Sequence, residues 1–211
     1  MFNVVHDAGG STAVFASKTK FSLWDRSWPE AIDTDVIVED NRALVGRFVS
    51  DLGQTRSFRM LHLSAPDRAG HDHGFMGRAY LRTVRSTDRL LARVMRAISA
   101  SPTMAGHTAV VLTSDHGGRG ANHRAPNRPA NYTVPFMVWG PGVERGADLY
   151  SINPTYANPR RTQTTYADAP IRNAAVANLA LDLLELPAVP GSEHNTEQDL
   201  EVSAPPVSAR G

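Results

Sequence analysis

Four short apolar runs constrain the fold most: residues 11–16 (STAVFA), 58–63 (FRMLHL), 108–113 (TAVVLT) and 134–139 (VPFMVW). Each has the length of a strand rather than a helix, and each is followed by turn-forming or polar sequence, so each is predicted as a buried strand. Between the second and third lies the clearest helix. Over residues 78–99, Tyr80, Val84, Thr87, Leu91, Val94 and Ile98 recur at alternating steps of four and three, with arginines filling much of the opposite face. Further helices are expected over residues 36–52, stopped at Gly53, and over residues 171–186 behind Pro170. Residues 1–10 read as the end of a helix capped at Gly9 or Gly10. Residues 21–35 are expected to form an irregular loop, residues 144–165 a long polar loop, and residues 192–211 a disordered tail. Strands alternating with helices predict an α/β sandwich around a mostly parallel sheet in residues 1–191. In such sheets, sites gather at the carboxyl ends of the strands.

Composition narrows the chemistry. With 22 basic and 21 acidic residues in 211, and arginines scattered along the chain, nothing reads as a nucleic-acid-binding patch. No apolar run is long enough to span a bilayer, and the N-terminus lacks the pattern of a signal peptide. There is no cysteine, so a metal site must be built from histidine and carboxylate.

Two polar clusters follow strands directly. After residues 58–63 come Asp67 and His71, with Gly70 just before the histidine. After residues 108–113 come Ser114, Asp115, His116, Gly117 and Gly118, and His123 lies a little further on. Carboxylate with imidazole is the donor set that zinc accepts when thiolate is unavailable. Glycines 70, 117 and 118 are expected to allow the tight turns that gather these side chains. Five donors exceed the three protein ligands of a catalytic zinc, which points to two divalent ions. Taken singly, each pair reads as a solvated pair or a turn cap, and His123 as a surface histidine; their order at strand ends favours the metal reading. His62, His73, His107 and His194 read as structural or solvent-facing, and Asp72 and Asp88 as surface charges. Lys18 and Lys20, after the first strand, either face a phosphate or are solvated, and solvation is the commoner case.

These motifs resemble the alkaline phosphatase superfamily, most closely its nucleotide pyrophosphatase/type I phosphodiesterase branch. The matching residues are Pro66, Asp67, Gly70 and His71; Tyr80 and Asp88; Thr113 to Gly117; His123; Val134-Pro135-Phe136 with Gly140-Pro141-Gly142; and Ile171-Arg172-Asn173 through Leu184 to Pro190-Gly191-Ser192. The resemblance covers roughly residues 1–192. It implies an alkaline-phosphatase-like three-layer sandwich and two zinc ions, one held by Asp67, His71 and His123, the second by Asp115 and His116 with further ligands. It implies a metal-dependent hydrolase of phosphoric mono- or diesters acting on a small-molecule substrate, extracellular or periplasmic in its intact form. The second-site aspartate and the Ser/Thr nucleophile fall before the matching region in the family, so they are expected upstream of Met1. Residues 1–191 are accordingly expected to be the C-terminal portion of the catalytic domain, with its N-terminal part missing, and Ser11, Thr12 and Ser17 are not nominated as nucleophile. The alternatives are a non-catalytic metal-binding remnant, or a phosphomutase or sulfatase of the same superfamily.

Overall fold

The computed structural model of the chain describes residues 1–125, 127–159 and 170–203. They form two compact units, one of Met1–Ala105 with Gly118–Arg124 and one of Gly106–Gly117 with the described residues from Ala125 onward.

The first unit is built on a three-stranded parallel sheet. Helix α1 (Phe2–Asp7) leads into strand β1 (Thr12–Ala16), whose five residues are all buried. A 3₁₀ turn at Thr19–Phe21 and helix α2 (Ser22–Ser27) precede β2 (Thr34–Ile37), and α3 (Asn41–Asp51) connects β2 to β3 (Phe58–His62). Strand β1 lies between β2 and β3, with Ala13 opposite Thr34 and Ala16 opposite His62. Being the middle strand explains its unbroken apolar run, because both faces are covered. One face packs Val14 and Ala16 with Phe2, Ala31 and Ile32, while Phe15 on the other meets Phe48 of α3 edge-on at 5.2 Å between ring centres. Helices α4 (Ala65–His73) and α5 (Arg78–Ala100) come after β3, and α5 has the predicted extent and buries Val94 and Ile98.

Two local expectations change. Residues 36–52 are not one helix: Val36 and Ile37 pair with β1, and the Asp40 carboxylate accepts a hydrogen bond from the Ala43 N–H at 2.7 Å, starting α3 after the strand. The expected loop over residues 21–35 contains α2, because Trp24 has aromatic partners in Phe21 and Phe2, at 4.8 and 5.6 Å, that reward an ordered turn.

In the second unit, β4 (Val110–Thr113) and β5 (Phe136–Trp139) pair antiparallel, with α6 (Pro129–Tyr132) between them, so the parallel pairing belongs to β1–β3. Helix α7 (Leu149–Ile152) interrupts the expected loop, whose residues 160–165 lie outside the described ones. The last helix is shorter than its pattern, a 3₁₀ turn at Asn173–Ala175 followed by α8 (Val176–Asp182). Ala175 and Leu179 pack with Leu200 and Val202 against Val111, Phe136 and Val138. Residues 192–203 are therefore not a disordered tail. Leu200 is 1 % exposed, and buried Asn178 and Asn153 bind the backbone there, Asn178 donating to the His194 carbonyl at 2.7 Å and Asn153 accepting from the Glu201 N–H at 2.7 Å. Residues 204–211 lie outside the described ones. No described helix is long and apolar enough to cross a membrane.

Candidate metal centre

The parallel register of β1 and β3 places the residues after Ala16 beside those after His62. Ser17 and Ser64 lock this junction. Both are buried, the Ser64 N–H donates to Ser17 Oγ at 2.7 Å, and Ser17 Oγ donates to the His62 carbonyl at 3.0 Å. Helix α4 starts at once, with Pro66 in its first turn, where proline forfeits no hydrogen bond. Asp67 thus sits in the first turn, where the helix dipole favours a carboxylate, and His71 stands one turn later on the same face. Asp67 Oδ1 lies 3.3 Å from His71 Nε2. Its other oxygen, Oδ2, accepts from Lys18 Nζ at 2.7 Å.

His123 arrives from a distant segment, and Phe75 brings it. Gly74, at φ +83°, turns the chain out of α4, and the Phe75 N–H then donates to the Gly120 carbonyl at 2.6 Å. The Phe75 ring fills the space beside Gly70 and Gly118; a Cβ on either would come within 2.5 Å of it. The expected role of these two glycines as turn formers gives way to this one. Gly70 lies inside α4, and both leave room for an aromatic ring. Gly117 is likewise pressed against the Ala130 carbonyl. The pinned loop sets the His123 ring 5.1 Å from that of His71, while the Ala121 carbonyl lies 2.9 Å from His71 Nδ1. A carbonyl can only accept, so Nδ1 is the donor in that contact, and Nε2 is the ring atom that faces Asp67.

Asp67, His71 and His123 therefore converge, each offering a donor atom, with all three atoms within 4.8 Å of one another. No other group of three such residues does so among the described residues. Tyr80 of α5 packs on Phe75 at 5.4 Å, and burial, then the negative charge of Asp67, raises its hydroxyl pKa above the ordinary value. Lys18, read from the sequence as facing a phosphate or solvated, instead pairs with Asp67, and Phe75 was not singled out at all. The strand-end rule was the available signal for Lys18, whereas nothing in the sequence singles out Phe75.

Asp115 and His116 lie in the second unit, directly after β4. They face each other, Asp115 Oδ2 being 3.5 Å from His116 Nε2, and His116 Nδ1 lies 2.8 Å from the Gly117 carbonyl. The Asn173 amide donates to the Ser114 and Asp115 carbonyls, both at 2.9 Å, and fixes the turn. His62 fits its structural reading, with its ring 4.4 Å from that of Phe21.

The family model described as type I phosphodiesterase / nucleotide pyrophosphatase matches residues 7–189. GPI ethanolamine phosphate transferase 1 of Mus musculus is 29% identical over 84 residues, which are 40% of this chain and 9% of that protein. The protein of the same name from Candida glabrata is 27% identical over 115 residues, 51% of this chain and 12% of that protein. The chain thus spans about a tenth of the length of these relatives.

Proposed function

Because the chain belongs to the type I phosphodiesterase / nucleotide pyrophosphatase family, whose members are phosphoester-handling enzymes of the alkaline phosphatase superfamily, we propose that Asp67, His71 and His123 hold a divalent metal ion that serves hydrolysis of a phosphoric mono- or diester. The observation that carries this is the convergence of their three donor atoms. The donor set fits zinc. Two donors about 2.0–2.1 Å from a tetrahedral ion stand roughly 3.3 Å apart, and Asp67 Oδ1 and His71 Nε2 are separated by 3.3 Å. Two imidazoles and one carboxylate are also the three-ligand set of a catalytic zinc, which leaves a position for substrate. Asp115 and His116 are assigned to a second ion, on the resemblance.

When bound, such an ion supplies the charge that draws electrons from a phosphoryl oxygen. The chain's own residues supply the setting. The Ala121 carbonyl orients the His71 ring, and Asp67 contributes the negative charge that attracts a dication. Phe75 shields the imidazoles on one side. Tyr80, whose hydroxyl pKa burial and then Asp67 raise above its ordinary value, offers a hydroxyl that can donate to a substrate oxygen.

A second reading passes the phosphoryl-bearing group to an alcohol instead of water, and the names of the two relatives favour it. The two differ in the acceptor alone. Nitrophenol release from mono- and diester nitrophenyl phosphates, with added zinc, with EDTA and with an alcohol acceptor, separates them. Hydrolysis predicts EDTA-sensitive release that the alcohol does not change, and transfer predicts a new phosphoester of the alcohol. Zinc binding without turnover supports the metal-binding remnant, and zinc content unchanged in Asp67→Asn, His71→Ala and His123→Ala would refute the site.

A further inference from the structure

The two oxygens of Asp67 have different partners. Oδ1 faces His71 Nε2, whereas Oδ2 is held by Lys18 Nζ at 2.7 Å in a pair that is largely shielded, with side-chain exposures of 31 % for Lys18 and 19 % for Asp67. From this division we infer that Lys18 is a positioning residue that restricts Asp67 to one-oxygen ligation and thereby sets which metal the site prefers. The inference rests on the metal reading above and deepens it.

Lys18 is well fixed for such a role. It comes directly after Ser17, whose hydrogen bonds to Ser64 and to the His62 carbonyl tie the end of β1 to the end of β3. Its backbone is extended, at φ −135° and ψ 132°, before the 3₁₀ turn begins. The nearest basic residue along α4, Arg68, is turned elsewhere, 4.0 Å from Glu39 and more than half exposed. The ammonium at Oδ2 is thus assigned to Lys18.

The consequence is one of coordination chemistry. A carboxylate confined to one oxygen, beside two imidazoles, suits a small four-coordinate ion such as zinc. Larger ions that favour oxygen and higher coordination numbers, manganese among them, gain when a carboxylate offers both oxygens. Lys18 denies them the second oxygen. Its positive charge also opposes any dication, but that effect weakens zinc and manganese alike, so the ratio of the two affinities isolates positioning from charge.

The experiment is competition of Zn²⁺ and Mn²⁺ for the chain against a chromophoric chelator, in wild type, Lys18→Met and Lys18→Arg, with circular dichroism to check folding. Lys18→Met is expected to shrink the preference for zinc over manganese by about tenfold, the size of effect typical of groups that orient metal ligands. Lys18→Arg, which keeps a donor for Oδ2, should retain the wild-type ratio to within about twofold, against that same scale. An unchanged ratio in Lys18→Met, with both affinities rising together, overturns the positioning role and leaves the metal site standing. An Arg variant that behaves like the Met variant overturns it equally. If wild type takes up zinc no better than His71→Ala does, the metal reading itself fails and this inference falls with it.

Discussion

Asp67 with His71 and Asp115 with His116 are the same two residue types at two strand ends, yet their surroundings differ. The first pair sits one helical turn apart on α4, and distant segments complete it, with His123 from the loop that Phe75 pins and Lys18 from the end of β1. The second pair is adjacent in the chain, and its partners are local backbone and the Asn173 amide, which secure the turn. Asp115 is 57 % exposed at its side chain, Asp67 only 19 %. Both pairs bring a carboxylate oxygen and an imidazole nitrogen within 3.5 Å of each other, but among the described residues only the first gains a third converging donor, from His123.

The largest expected effect breaks this comparison directly. Asp67→Asn, His71→Ala and His123→Ala should each weaken zinc binding by more than about 100-fold, since even partners that only orient a ligand cost about 10–100-fold. Asp115→Asn and His116→Ala should leave the tighter zinc in place. Equilibrium dialysis with elemental analysis reads both, and equal losses from the two sets would erase the distinction.

Stability should divide in the same way. Zinc at 100 times its dissociation constant adds about 2.7 kcal/mol to the folded state, which raises Tm by roughly 5–10 °C for a chain of this size. Calorimetry should find that rise in wild type and His116→Ala, reversed by EDTA, and lost in His71→Ala.

Phe75 joins the two halves of the first site without being a ligand. Phe75→Ala should destabilise by about 2–3 kcal/mol, below the full range for a buried phenylalanine because the ring is only partly buried. It should also weaken zinc by about tenfold by loosening His123. Normal zinc affinity in a folded Phe75→Ala chain would show that the loop holds its place without the ring.

The smallest effects sharpen the reading of the glycines. Gly70→Ala drives a methyl into the Phe75 ring and should cost about 1–3 kcal/mol. Gly46→Ala, on α3 with nothing within 4 Å of the added carbon, should stabilise by about 0.5–1 kcal/mol. Urea denaturation of the two variants checks the opposite signs.

The four apolar strands and α5 were legible because their signals are local, as period and length decide them, whereas β2 (Thr34–Ile37) was divided between an expected loop and an expected helix. Asp67, His71 and His123, whose donor atoms converge, could be nominated for a related reason, since a site without cysteine has few residue types to choose from. Partners set by packing were not legible. Lys18 carries the same local signature as Lys20, and only the register of β1 against β3 tells them apart. Gly70 and Gly118 stood out as glycines, but their reason is a ring placed by the contact of Phe75 with Gly120. The tail from residue 192 looked disordered because it is polar, and the two buried asparagines that hold it are remote in sequence.

X-ray absorption at the zinc edge, on the chain loaded with one equivalent of zinc, tests the central claim most directly, because it counts imidazoles around the ion. Convergence of Asp67, His71 and His123 predicts two imidazole nitrogens with oxygen completing the shell in wild type, and one imidazole in His123→Ala. A wild-type spectrum with fewer than two imidazoles, or one that His123→Ala leaves unchanged, would contradict it.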